Sequence, residues 1–262
     1  MKGALIMITD SFDNKTAAII ERQRKANAPS VDVMIITFSY IIEEYILDNF
    51  DCTQIATLYN APGVTPVYRI EYKGKKIGFF KTYIGAPSTV DSVEEILAEV
   101  DTNKFIMFGG AGCLDRDIAR GKIIIPTAAY RDEGTSYHYA PAADYITIKN
   151  ADVVSDFMKQ ANIPYVLGKT WTTDAFYRET RGNFEKRKQD GCIAVEMECA
   201  AVQAVCDFRG AELYNFLESG DLLDAPEWDP RSEFTCNGSQ HDPRYFMMAL
   251  ELACFVSDRK EN

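Results

Sequence analysis

A 262-residue chain with 47% hydrophobic content is long enough to bury a sizeable core, as one large α/β domain or two smaller ones. Its formal net charge of −11 excludes a general nucleic-acid or anionic-membrane binder, which needs a basic face, but leaves room for one local anion pocket. No apolar run approaches the roughly 18 residues of a membrane span.

The opening apolar run at residues 1–10 is too short for a secretory signal, and acids follow at once. Residues 1–30 read as an N-terminal arm, polar and helix-compatible from 11 to 28. Residues 31–37, rich in Val and Ile, predict a buried strand, and 41–50 a helix. Segments 66–72 and 76–83 alternate and flank Lys73-Gly74-Lys75, which predicts a β-hairpin. A helix is expected over 92–100, capped by Ser88 or Asp91. Residues 105–108 predict another buried strand. It breaks into Gly109-Gly110-Ala111-Gly112, where backbone amides can approach a ligand closely, although tight turns use the same residues.

A turn and strand follow at 121–126. The loop 131–141, dense in hydrogen-bonding groups, reads equally as a ligand loop or an ordered surface loop. A helix is predicted at 152–161, a strand from 165, a solvated helix at 181–190, and a strand at 193–195 running into a helix at 200–208. A final strand, 213–217, ends in Glu218-Ser219-Gly220-Asp221, and 243–257 closes the chain as a helix. Strands and helices alternate after the hairpin. This predicts a single-domain three-layer α/β/α sandwich with a central mixed β-sheet over residues 1–262.

The seven cysteines are odd in number and contain no C-x-x-C pair, so buried reduced thiols in a cytoplasmic protein are expected. With only His138 and His241 available, no metal site is expected. Polar or glycine-rich clusters stand at Gly85, Gly109, Thr172 to Phe176, Glu196 to Glu198 and Asp221, at the ends of the predicted strands. Ligands of open α/β sheets bind beyond such ends, so these clusters are expected to converge on one pocket. At the strand–helix seam, Glu196 and Glu198 read either as ligand-binding acids or as helix caps.

Four stretches in order carry a resemblance: Ile84-Gly85-Ala86-Pro87-Ser88-Thr89; Phe108-Gly109-Gly110-Ala111-Gly112 with Asp117-Ile118 and Gly121 to Pro126; Thr173-Asp174-Ala175-Phe176-Tyr177; and Val195-Glu196-Met197-Glu198-Cys199-Ala200. They resemble, respectively, the G-x-P-S turn, the G-x-x-G…G-D-V-x-I run, the S-x-D-x-F-Y motif and the V-x-M-E-x-A signature of the nucleoside phosphorylase family. That family comprises purine nucleoside phosphorylases, uridine phosphorylases and methylthioadenosine nucleosidases. The resemblance spans roughly residues 31–257, and the loop at 131–141 is closest to the uridine branch.

The resemblance implies cleavage of a nucleoside's N-glycosidic bond, giving free base and, with inorganic phosphate as co-substrate, ribose 1-phosphate. No further cofactor is implied. Glu198 matches the acid that accepts hydrogen bonds from the ribose hydroxyls, Met197 the residue packing on the sugar, and Phe176 the aromatic lining the base. Asp221 matches the catalytic acid that serves N7 in purine-cleaving branches; Arg178 is a further candidate at the base edge, with Glu179 and Arg181 beside it. Plain core packing is the competing reading of Met197 and Phe176, and turn capping that of Asp221. The loop points to a pyrimidine and Asp221 to a purine.

For phosphate, Gly109 and Gly110 are the candidates. The positions of the family's phosphate arginines and first-strand glycine hold Ile42, Met107, Gly63 and Phe38. On the weight of the family resemblance, phosphorylase is the first expectation, although the missing arginines count against phosphate. A phosphate-independent nucleosidase, with Glu43 or Glu44 near the water-activating position, and a non-catalytic nucleoside-binding protein are the alternatives. The resemblance also implies a homodimer or hexamer.

Overall fold

Residues 7–21, 23–60, 63–119, 121–230 and 238–259 are described by the computed structural model; most of the opening apolar run, and Cys236, lie outside them. The strands are β1 (Val33–Thr37), β2 (Thr53–Asn60), β3 (Gly63–Tyr72), β4 (Lys75–Lys81), β5 (Lys104–Cys113), β6 (Ile123–Asp132), β7 (Tyr145–Thr147), β8 (Tyr165–Thr173), β9 (Cys192–Glu196) and β10 (Glu212–Leu222). The helices are α1 (Tyr40–Asn49), α2 (Ala86–Glu99), α3 (Arg116–Ala119), α4 (Ala151–Gln160), α5 (Arg181–Gln189), α6 (Cys199–Arg209) and α7 (Pro243–Asp258).

The strands form one mixed sheet. From the edge its order is β2-β3-β4-β1-β5, after which it closes through β10, β6, β8 and β9 back onto β5. The hairpin pairs antiparallel, whereas β1 pairs parallel with both β4 and β5. Both faces are covered. Alternate residues of β1 go to opposite cores: Met34 and Ile36 pack with Val90, Val93 and Ile96 of α2 and Ala200 to Cys206 of α6, whereas Val33 and Ile35 pack with Ile42 and Ile46 of α1 and the apolar face of α7. This is the period-2 rule applied to a strand buried on both sides, and it produces the three layers. Cys199 and Cys206, two helical turns apart, are both fully buried on α6. The arm runs beside the end of α2, where Lys25 N–H donates to Ala98 O at 2.9 Å and Arg24 pairs with Asp101 at 2.7 Å.

Several elements differ from the sequence-based expectation: β7 and α3 have no counterpart in it, and β10 runs past residue 217 to Leu222. The glycines 109–112 are not a loop but the second half of β5, held by β10 through Leu217↔Gly109 and Glu218↔Gly110. Helix α2 begins at Ala86, not residue 92, with Pro87 in its first turn and Gly85 as N-cap at φ 100°, ψ 147°. Proline at a helix start loses no hydrogen bond, and glycine alone takes that backbone geometry without strain. Strand β2 has no counterpart in the sequence reading. It is an edge strand whose burial does not alternate: Ile55, Ala56 and Thr57 are all half-buried before the buried Leu58, so it shows no period-2 pattern to read.

Strand β5 positions the site. On one edge it pairs with β10 along most of its length. On the other it pairs with β1 only from Phe105 to Met107 and with β9 only at Gly112 and Cys113. Between these the sheet forks, and the crevice opens there, as the switch-point rule for α/β sheets expects.

Candidate active site

A cavity of about 730 Å³ fills this fork. It lies within the usual size range of small-molecule sites. Its wall brings together Phe38 and Ser39 past β1, Met107 to Gly112 of β5, Phe176 and Tyr177 past β8, Glu196 to Glu198 past β9, and Gly220 and Asp221 of β10. The strand-end clusters singled out in the sequence thus converge, except that Gly85 touches the site through Glu198.

The two glutamates of the seam have separate jobs. Glu196 Oε2 accepts from the backbone N–H groups of Glu198 (2.7 Å) and Cys199 (2.6 Å), and Oε1 accepts from the hydroxyls of Thr170 (3.1 Å) and Thr172 (2.5 Å). All four of its acceptor directions serve the protein, so Glu196 is the cap of α6. Glu198 makes no such cap. Its Oε1 instead accepts from Gly85 N–H at 2.5 Å, reaching across the fork from β9 to the start of α2. Burial, and then the Glu196 charge, pushes the Glu198 carboxyl up to about 8, against the Gly85 and Met197 amides, which favour its charged form. A buried carboxyl in a cavity with so few donors is suited to receive hydrogen bonds from a ligand.

Asp221 stands at the other end of the glycine run. A Cβ on Gly112 would lie 2.7 Å from Leu223 Cδ1, 2.8 Å from Val195 Cγ1 and 3.2 Å from Asp221 Oδ1, so only glycine fits beneath these side chains. Trp228 Nε1 donates to Asp221 Oδ2 at 2.6 Å and orients it. Glu179 also lines this end. Burial, with the Asp221 charge second, pushes its carboxyl up to about 8, so a proton resides on Glu179 at neutral pH. Phe176 and Met197 are half-buried on the wall, with the Phe176 ring 4.1 Å from that of Tyr177, and Phe184 and Trp228 complete an aromatic surround.

Arg178 is exposed and stands off the wall, and Arg181 lines the cavity in its stead. The Arg181 guanidinium lies 4.9 Å from the Phe184 ring centre and donates to Ala225 O at 3.4 Å. The loop at 131–141 contributes nothing to the wall. It is closed on itself by the buried Arg131, which donates to Ser136 Oγ (2.7 Å), Pro141 O (2.6 Å) and Ala140 O (3.2 Å). Glu43 pairs with Lys81 at 3.0 Å, also away from the wall.

Gly109 and Gly110 line the cavity from within β5. Phe38 lies against them: a Cβ on Gly109 would be 3.2 Å from its ring. Ile42 and Met107 are core residues, 0% and 1% exposed. Sequence reading missed His241 as a site residue. It sits in a single helical turn, Ser239–His241, with Nδ1 2.7 Å from Ser39 Oγ. Burial depresses its pKa below 6.5. It lies far along the chain from every motif, and only the packing of that turn against α1, β5 and β10 brings it in. No helix among the described residues is long and apolar enough to cross a membrane, and they contain no cluster of metal-ligating side chains.

A mixed sheet closed at one end, with a cavity at its fork walled by carboxylates and aromatics, defines an α/β protein with a candidate small-molecule site at the sheet's switch point. A family model described as the phosphorylase superfamily matches residues 44–226, and the chain belongs to that superfamily. The chain is 29% identical to a purine nucleoside phosphorylase DeoD-type of Bacillus subtilis (strain 168) over 189 residues, covering 70% of this chain and 76% of the relative. It is 27% identical to a purine nucleoside phosphorylase DeoD-type of Aliivibrio salmonicida over 185 residues, covering 69% and 77%. It is 26% identical to a purine nucleoside phosphorylase DeoD-type 2 of Vibrio cholerae over 187 residues, covering 70% and 76%.

Proposed function

We propose that this chain cleaves the N-glycosidic bond of a purine nucleoside and releases the free base. The observation that carries the reading is the placement of Glu198 and Asp221 on one cavity wall, spanned by the glycine run of β5. Gly109 and Gly112 are about 10 Å apart along a strand, which matches the reach of a nucleoside from sugar to base.

In this reading the two Glu198 oxygens accept from the ribose hydroxyls and fix the sugar, with Met197 against its apolar face. The base lies among Phe176, Phe184 and Trp228. As the C1′–N bond lengthens, the sugar gains oxocarbenium character and the base gains negative charge. Asp221 delivers a proton to N7, with Glu179 as the neighbouring proton store. The purine assignment follows the presence of Asp221 and agrees with the purine-cleaving names of the relatives. Those names also support phosphorolysis, in which inorganic phosphate takes the ribosyl group. That reaction needs an anion site at the Gly109 end, where Phe38, Ile42 and Met107 stand at positions the family gives to a glycine and arginines.

The test is a panel of purine and pyrimidine nucleosides, incubated with and without phosphate and resolved by chromatography. Free purine base is the expected product. If no nucleoside were cleaved under either condition, the reading would be wrong.

A further inference from the structure

The residues where the family's phosphate site would lie are chemically unsuited to an anion and suited to a neutral nucleophile. Phe38 is the first residue past β1 and its ring edge lies on Gly109, so hydrocarbon occupies the fork over the backbone of β5. The charged side chains on the cavity wall are mostly acids: Glu179, Glu196, Glu198 and Asp221. Arg181, the arginine among the described lining residues, belongs to the Phe184 side. A phosphate dianion entering here would meet an apolar ring and, among the described residues at this end, no arginine, where a phosphate site uses charge-assisted arginine contacts.

Beside Phe38, at the same end, stands Ser39 with His241. Ser39 is fixed: it caps α1 by accepting from Ile42 N–H at 3.1 Å, and its backbone N–H donates to Thr37 Oγ1 at 3.4 Å. Its Oγ is 2.7 Å from His241 Nδ1. On the far side of the ring the Gln240 amide nitrogen, a donor, is 3.4 Å from Nε2. Both neighbours suit the tautomer in which Nδ1–H donates to Ser39 and Nε2 carries the lone pair. Among the described residues, three further elements face the ring. From α1 the Tyr40 ring meets it edge-on at 5.7 Å, β5 brings Met107, Phe108 and glycines to the shared wall, and β10 carries Glu218 and Asp221.

We infer that the nucleophile at C1′ of the bound nucleoside is water, held and deprotonated by His241, with Ser39 positioning the imidazole. This rests on the nucleoside-cleaving reading and deepens it. The water oxygen forms the new C1′–O bond while the C1′–N bond breaks and its electron pair stays with the base. Asp221 passes the base the proton stored on Glu179, His241 Nε2 takes the proton from water, and exchange with solvent restores Glu179 and His241. The products are free base and ribose. His241 is then a catalytic residue and Ser39 a positioning residue.

The experiment is turnover of a purine nucleoside in phosphate-free buffer made with ¹⁸O-water, repeated across a phosphate titration. The expected result is base release at the same rate throughout, with ¹⁸O in the ribose. Base released only when phosphate is added would overturn the inference and leave nucleoside cleavage standing; no release under either condition would overturn that reading and this inference with it. His241→Gln should lower kcat by about 10²–10⁴-fold while nucleoside still binds. In the unaltered protein kcat, read at saturating nucleoside where Glu198 is already ionised, should fall with acid as His241 protonates, below pH 6.5, and Ser39→Ala should move that limb. A His241→Gln protein that melts normally and keeps the acid limb would contradict the role of the histidine.

Discussion

At the residue scale, the site turns on carboxyl groups that hold protons at neutral pH. Glu198 has a folded-state value of about 8 against an ordinary 4.5. The folded, ligand-free protein therefore binds this proton more tightly than the unfolded chain does. The associated stability is fully present below about 4.5 and is lost as pH rises through about 8. In the proposed reading ribose hydroxyls donate to the charged carboxylate, so nucleoside binding should release a proton and strengthen as pH rises towards 8. Calorimetric titration in buffers of different ionisation heat measures that release; proton uptake, or none, would refute the assignment. Asp221→Asn removes the group that serves the base, and should cost about 10²–10⁴-fold in kcat with little change in nucleoside affinity. Single-turnover measurements separate the two effects, and an unchanged chemical step would leave Asp221 as a strand residue that anchors Trp228.

At the element scale, the glycine run shows what a sequence can and cannot reveal. Glycines after a Val/Ile/Phe-type strand signal a close backbone approach, and that much was legible. Whether they formed a loop or a strand depended on β10, about a hundred residues away, which pairs with them. The same partner extends the last strand past the predicted end at residue 217 to Leu222, carrying Asp221 into the sheet. The start of α2 was legible in principle, because Pro87 after Gly85 is a helix-start signal, but the polar cap residues Ser88 and Asp91 competed with it. The packing beneath Asp221 yields a test at this scale. Gly112→Ala places a methyl within 2.7 Å of Leu223 and 2.8 Å of Val195. It should destabilise the fold by about 1–3 kcal/mol and slow turnover by shifting Asp221, as read by denaturant melts beside kinetics. A variant as stable and active as the original would show that this close packing is not required.

At the scale of the whole molecule, the three layers followed from local pattern, because β1 is buried on both faces and alternates between two cores. The closure of the sheet on itself did not, since it depends on pairings of β10 with both β5 and β6 that no local signal encodes. The division of labour at the seam was also beyond local pattern: one glutamate caps α6 and the other bridges to Gly85, although both stand two residues apart in one motif. His241 enters the cavity only through the packing of the last helical turn. The molecule is thus a sheet that forks at β5, with one arm supplying Phe38 and Ser39 and the other Glu198 and Asp221.

The central claim is that this fork holds a nucleoside by its ribose at Glu198. The direct measurement is a binding cycle that pairs the protein and its Glu198→Ala variant with a purine ribonucleoside and its 2′,3′-dideoxy analogue. The account predicts that the protein prefers the ribonucleoside by about 10- to 100-fold, the worth of a hydrogen bond to a charged group, and that the variant binds both alike. Equal affinity of the protein for the two ligands, or the same preference surviving in the variant, would contradict it.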